Sequence, residues 1–329
     1  ALNANFVTLP LFVLMGVFVF RAALAEDIYE AAQAWLGNRR GGLAMATVAA
    51  CGGFASISGS SVATAATMAK VSIPPMRKYS FNEGFAAGTV AAGGTMGILI
   101  PPSAALIVYG ILTEQSIGDL FIAGIIPGII TILLYITVIW LVARFWPHLA
   151  PRAPKSSWSV RWHTLSKIWA VLALFLIIIG GISFGVFTPT EGGGIGAIGA
   201  LLFAIARKKM DLKIFFYGLV EAAETSAMIF TIAFGALILN NFVNIAEMPN
   251  DIVNFIKSLE IAPIYVILVV LAIYILLGTI IEGLAMIFLT VPIFVPLVDA
   301  MGFDLIWFGI VMVMVVEISL ITPPIGLNV

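Results

Sequence analysis

Charge is scarce in this 329-residue chain: 10% of its residues are Asp, Glu, Lys or Arg, while 61% are hydrophobic and the mean hydropathy is +1.13. Soluble domains carry about 25% charged residues, so a water-soluble globule of this size is excluded and a polytopic membrane protein is expected. Cysteine is almost missing. Cys51 alone permits neither an internal disulfide nor a cysteine metal cluster. The two histidines, His148 and His163, share one hydrophilic stretch, which excludes a histidine metal site inside the membrane. The sequence has no HExxH and no Walker motif, so neither a zinc protease nor an ATP-driven pump is supported. A formal net charge of −1 argues against a nucleic-acid partner. The opening Ala-Leu-Asn-Ala-Asn lacks the basic start of a signal peptide, and the abrupt ends point to a segment of a longer protein.

What the chain does have is long apolar runs with punctuated centres. A bilayer core of about 30 Å takes roughly 20 apolar helical residues. Residues 6–25 satisfy that, and 26–40 are too polar to span and read as an interfacial amphipathic arm. Residues 41–76 carry one charge, Lys70, and centre on Ser56-Ile57-Ser58-Gly59-Ser60-Ser61. Each side holds about 14 apolar residues, about 21 Å of helix, which predicts a re-entrant hairpin with its tip near mid-membrane. Residues 81–113 form a helix broken at Gly93–Gly97 and Pro101-Pro102, since proline supplies no helical N–H and glycine tolerates unwound backbone. Further crossings follow at 119–145, 168–187, 192–206 and 212–246, with a polar linker at 146–167. Residues 249–260 are again amphipathic, 261–298 are a double-length apolar stretch centred on 278–283, and 303–329 are broken at Thr322-Pro323-Pro324.

This return is an internal repeat. Asp27-Ile28 recurs as Asp251-Ile252, and Ile57 and Gly59 as Ile281 and Gly283, at an offset of 224; Phe81, Pro101 and Pro102 recur as Phe303, Pro323 and Pro324 at 222. Five crossings separate the two starts, an odd number, so the second copy is expected to be inverted. The charges agree. Fifteen of the basic residues then fall on one side and only Lys257 on the other, which makes the basic side cytoplasmic. Five tryptophans (Trp140, Trp146, Trp158, Trp162, Trp169) cluster around the basic linker as an interfacial belt would. The expected fold is an all-α polytopic membrane protein of inverted repeats, each a re-entrant helical hairpin plus a broken transmembrane helix.

Inverted repeats with interrupted helices are the architecture of secondary transporters, because unpaired backbone groups at membrane depth are tolerated only inside protein or along a polar cavity. Ser56–Ser61 should face Gly93–Gly97, and Gly278–Gly283 should face Glu317–Thr322. Hydroxyl and carbonyl oxygens suit a hard cation such as Na⁺, and helix N-termini after each break suit an anion. No Lys or Arg occupies either tip, so an anion would be held by hydroxyls, backbone dipoles and co-bound cations. Each feature also has a plainer reading. The serines can bond their own backbone, the proline pairs can be kinks, and Glu282 and Glu317 can be structural groups instead of functional carboxylates. Glu221 and Glu224 read as interfacial, and the GxxxG spacing in Gly192–Gly196 as helix packing. A proton-coupled organic-anion transporter, or a passive channel working without a binding protein, is the alternative; an intramembrane serine protease fits poorly because no histidine lies near the serines.

Four stretches carry a family resemblance: Ser56-Ile57-Ser58-Gly59-Ser60-Ser61-Val62-Ala63-Thr64, Gly94-Thr95-Met96-Gly97-Ile98-Leu99-Ile100-Pro101-Pro102-Ser103, Thr188-Pro189-Thr190-Glu191 and Leu320-Ile321-Thr322-Pro323-Pro324-Ile325-Gly326-Leu327-Asn328. In this order they resemble the large membrane subunit of tripartite ATP-independent periplasmic (TRAP) transporters, over essentially the whole chain. The resemblance implies a non-enzymatic, Na⁺-coupled importer of organic acids such as C4-dicarboxylates or sialic acids in the bacterial inner membrane. It also implies an elevator motion, with a small four-helix membrane subunit and a periplasmic substrate-binding protein as partners. Na⁺ is then expected at Ser56, Ser58, Ser60, Gly94, Thr95 and Gly97, and at Gly278, Thr279, Glu282, Gly283 and Thr322. The organic acid is expected at Ser58, Ser60, Ser61, Pro101, Pro102, Ser103, Thr322, Pro323, Pro324 and Asn328. Ser319 stands where this family often has glycine. In domain terms, residues 1–25 would be a scaffold helix, 26–40 and 249–260 arms, 41–113 and 261–329 the two halves of a transport domain, and 114–248 the remaining scaffold.

Overall fold

The computed structural model describes residues 4–329, which form fifteen α-helices, two short 3-10 turns and no named strand. Helix α1 (Thr8–Arg21) bends by 64° into the amphipathic α2 (Leu24–Leu36), and the bend turns on Ala23 at φ +56°. The first hairpin is α3 (Gly42–Ser58) and α4 (Ser61–Lys78). Then come α5 (Glu83–Gly94), a 3-10 turn (Thr95–Ile98) and α6 (Ala104–Thr113), followed by α7 (Ile117–Phe145), α8 (Trp158–Lys167), α9 (Trp169–Ser183), α10 (Pro189–Ala206) and α11 (Leu212–Ile245). The second copy is α12 (Met248–Ser258), the hairpin α13 (Pro263–Gly278) and α14 (Gly283–Ala300), and α15 (Leu305–Ser319). Four helices, α7, α10, α11 and α14, are long and apolar enough to cross a membrane, or up to six spans if the bent pairs α1–α2 and α8–α9 each count as one. The protein is an all-α polytopic membrane protein.

The hairpin arms are longer than the apolar runs suggest, 17 and 18 residues in the first copy. Helix α3 continues through Ser56 because that hydroxyl folds back onto the Gly53 carbonyl at 2.7 Å, a bond that removes the cost of a polar group in an apolar helix. The linker 146–167 also contains helix α8, capped where the Ser157 hydroxyl accepts the Val160 N–H at 3.3 Å.

From the hairpin tips onward one register relates the two copies, while the arms keep 224, since Ala23 and Glu247, the N-caps of α2 and α12, are both left-handed. Ser60, the N-cap of α4, matches Glu282, the N-cap of α14, and Asn82, the N-cap of α5, matches Asp304, the N-cap of α15, all at an offset of 222. The 224 offset read from Ile57 and Gly59 is therefore corrected. The first hairpin turns in two residues, 59–60, and the second in four, 279–282, so glycine matching slips by two where the turns differ in length.

Helix α1 packs on α10 and α11, tied by an Arg21–Glu221 ion pair at 2.6 Å. The two copies meet where α6 packs on α14 and α15. There the Tyr109 hydroxyl donates to the Leu305 carbonyl at 2.6 Å, and its ring occupies space that a side chain at Gly309 would fill. At one end of the molecule α2 gathers the basic linker. Arg161 is buried, its Nε donating to the Ala34 carbonyl at 3.1 Å and its guanidinium 5.0 Å from the Trp158 ring. Lys167 pairs with Glu30 at 2.9 Å, and Arg207 with Asp27.

Candidate functional site

The turn of the first hairpin is Gly59 and Ser60. Gly59 ends α3 at φ +64°, a conformation that favours glycine, and Ser60 opens α4 with its hydroxyl accepting the Ala63 N–H at 3.3 Å. Thr64 donates its hydroxyl proton to the Ser60 carbonyl (2.7 Å), so Ser58, 2.7 Å from Thr64 Oγ1, is the donor in that second contact.

The tip presses against the end of α5. A Cβ at Gly97 would collide with the Ser60 carbonyl, and one at Gly94 would come within 2.6 Å of the Ala65 Cβ. These two glycines are what admit the tip to the broken helix. Thr95 donates to the Ala92 carbonyl at 2.6 Å and accepts from the Tyr135 hydroxyl on α7 at 3.1 Å. Past the 3-10 turn the chain unwinds through a cis Pro101–Pro102 bond to Ser103. That hydroxyl donates to the Ile98 carbonyl and accepts the Leu106 N–H at 3.3 Å as the N-cap of α6. Pro101, Pro102 and Ser103 are all buried, so they shape the break from behind.

The second hairpin meets the C-terminal end of α15. Gly278, the last residue of α13, lies against Ser319, whose hydroxyl donates to the Val316 carbonyl at 2.5 Å. Gly283 faces Val316, Thr279 donates to the Leu276 carbonyl at 2.7 Å, and Thr322 donates to the Ile318 carbonyl at 2.8 Å. Glu282 is exposed and serves as an N-cap, one carboxylate oxygen accepting the N–H groups of Leu284 (2.9 Å) and Ala285 (3.1 Å). Pro323 and Pro324, joined by a cis bond, are exposed.

Between the two breaks lies Glu317 of α15, 3% exposed, with neither carboxylate oxygen hydrogen-bonded. Ser61 of the first hairpin and the Ile98 backbone are the polar groups that face it. A carboxylate so placed requires a compensating proton or cation. Asn328 is also buried with its amide unpaired, on the wall of a cavity of about 300 Å³ lined by Val62, Ala65 and Ala66 of α4 and by Ala87 and Val90 of α5. The structure thus joins Ser60 to Gly97 and Gly278 to Ser319, while the exposed Glu282 caps a helix. Tyr135 was missed by the sequence reading. Its signal is a phenol in the second half of a mostly apolar helix that also holds Thr131 and Thr137. Glu317 was noticed for its depth, but its contact with the first copy leaves no trace in spacing.

Comparison with known proteins places this geometry. The family model of the tripartite ATP-independent periplasmic transporter DctM component matches residues 2–329. The C4-dicarboxylate TRAP transporter large permease protein DctM of Pseudomonas aeruginosa is 37% identical, over 97% of this chain and 75% of its own. The isethionate TRAP transporter permease protein DctMQ of Oleidesulfovibrio alaskensis is 35% identical, over 97% of this chain and 50% of its own. The sialic acid TRAP transporter large permease protein SiaM of Vibrio cholerae is 30% identical, over 99% of this chain and 76% of its own. With two hairpins, one seated on the interrupted α5–α6 and one on the end of α15, and a match across nearly its full length, the chain belongs to the DctM family of TRAP transporter large permeases, which are transporters and not enzymes.

Proposed function

We propose that the protein couples Na⁺ entry to uptake of an organic acid, such as a C4-dicarboxylate or sialic acid, across the bacterial inner membrane. The observation that carries this reading is the pairing of each hairpin with a break, Ser60 on Gly97 and Gly278 on Ser319. At the two pairings Thr64, Thr95, Thr279, Ser319 and Thr322 already donate their hydroxyl protons to carbonyls. Thr64 and Thr95, each accepting one hydroxyl proton, keep one lone pair, and Thr279, Ser319 and Thr322 keep theirs, for an acceptor of oxygen electrons, which a hard cation is. Glu317 adds negative charge between the two sites, so bound Na⁺ would offset it and leave net positive field for a carboxylate. The hairpins are re-entrant and move with α5, α6 and α15 as an elevator relative to α1 and α7–α11, with α2 and α12 as arms. A periplasmic binding protein delivers the substrate and a small membrane subunit completes the scaffold; the two-part name of the DctMQ relative is in keeping with such a subunit. The end where the basic linker packs on α2 faces the cytoplasm, as the positive-inside rule requires.

Thermal unfolding of the detergent-solubilised protein in NaCl and in KCl at matched ionic strength tests the coupling ion. A ligand present at about 100 times its dissociation constant stabilises by roughly 2.7 kcal/mol, so a saturable rise specific to Na⁺ is expected. Equal stability in both salts would overturn sodium coupling. One observation favours a second reading, proton coupling: Glu317 is a buried carboxylate with no hydrogen-bond donor satisfying either oxygen.

A further inference from the structure

At the end of α7 lies a second cavity, of about 440 Å³, lined by Asn38, Arg39, Arg40, Trp140, Arg144 and Arg152. We propose that it binds the phosphate headgroup of an anionic phospholipid.

The four arginines come from three separate stretches, and the backbone explains how they meet. Gly41 sits at φ +71° with its N–H donating to the Ala150 carbonyl at 3.0 Å. A Cβ there would come within 2.8 Å of Ala143 and 3.2 Å of Ile139, so only glycine lets the end of the α2 arm lie flat on α7. Residues 40 and 152 pair as an antiparallel bridge, and the Ala153 N–H reaches the Gly37 carbonyl at 3.3 Å. This stitching holds Arg39 and Arg40 beside Arg144 and Arg152.

Nothing acidic lines the cavity, and among the described residues none of the four arginines belongs to an ion pair. Elsewhere the same end of the protein pairs its cations carefully, Lys167 with Glu30 and Arg207 with Asp27. Like charges gathered without a counter-charge repel one another, and planar guanidinium forks match phosphate oxygens in bidentate geometry. The chemistry therefore calls for a phosphate.

The position of the cavity selects a lipid over a free ion. Leu133, Leu134, Val138 and Leu141 of α7 are exposed, Trp140 is 52% exposed, and Arg144 follows one turn later on the same face as Trp140. The row passes from hydrocarbon-facing leucines through an interfacial tryptophan to a cation, which is the vertical profile of an acyl chain below a headgroup. Basic pockets beside membrane helices suit such headgroups.

The test is native mass spectrometry of the purified transporter in neutral detergent, titrated with dioleoyl phosphatidylglycerol, dioleoyl phosphatidylcholine or inorganic phosphate. Phosphatidylglycerol is expected to bind in preference to phosphatidylcholine, weakening about fivefold for each of R40Q, R144Q and R152Q. Lys substitutions should lose less, and W140A should weaken the lipid without altering any response to phosphate. Unfolding temperatures in lipid-free detergent verify that each variant is folded. Phosphatidylglycerol binding that is unchanged in the folded triple Gln variant would overturn the site. Binding of inorganic phosphate as strong as that of the lipid would overturn the lipid assignment, as would arginines covered by another protein subunit with no lipid bound.

Discussion

Ser319 on α15 rests directly against Gly278 at the end of α13, in space that any side chain at 278 would occupy. Its counterpart in the first copy, 222 residues earlier, is Gly97, which rests against the Ser60 carbonyl. The two copies solve one packing problem in opposite ways. In the first, the glycine lies in the break and the hairpin supplies the bulk; in the second, the break carries a serine and the hairpin yields. Ser319 is thus accommodated by its neighbour.

Gly278→Ala is expected to destabilise the protein by about 1–3 kcal/mol through overpacking, since the Ser319 side chain already fills the space. Ser319→Gly should restore most of the loss in the double variant, a coupling visible in a thermal double-mutant cycle. Additive losses would show that the two residues do not share this contact.

Gly97→Ala should be worse, because the obstacle is the Ser60 backbone carbonyl, which cannot rotate away. Gly88, on α5 ahead of the 3-10 turn that holds Gly97, has open space around it. Gly88→Ala should gain about 0.5–1 kcal/mol from helix propensity alone. Comparing the unfolding temperatures and uptake of the two variants separates a site glycine from a dispensable one.

Ser58→Ala removes the donor to Thr64 Oγ1 at the tip while leaving Ser60 and Gly97 in place. Half-maximal Na⁺ stabilisation should shift to higher concentration by about tenfold, the weight of one hydrogen-bonded oxygen, with little change in KCl. An unaltered Na⁺ titration would remove Ser58 from the ion site.

Glu317→Gln keeps shape and removes charge. If the carboxylate compensates Na⁺, the Na⁺ response should collapse while the folded protein survives. If it carries a proton, uptake should lose its pH dependence with Na⁺ affinity intact. Transport in proteoliposomes, with Na⁺ and pH gradients imposed separately, distinguishes these outcomes.

Arg161→Lys should loosen the basic linker from the α2 arm. The buried guanidinium donates to Ala34 and stacks near Trp35 and Trp158, contacts an ammonium cannot reproduce. Faster proteolysis of residues 146–157 would report the change.

The sequence by itself determined the order of elements. Apolar runs of bilayer length, the proline pairs at 101–102 and 323–324, and the Ser-Gly and Gly-rich centres placed the hairpins and the breaks, because chain-local chemistry decides where a helix can and cannot continue. It also carried the family, through motifs that lie in unbroken stretches. Only the tertiary structure decided the rest. Ser319 meets Gly278, Glu317 faces Ser61, Tyr135 reaches Thr95, and four arginines from three stretches line one cavity. These partners lie tens to hundreds of residues apart, and no periodicity records such a distance. The register shows the same division: identities favoured 224 at the hairpins, whereas helix caps set 222, because turn length shifts residues along the chain without moving the helices they join.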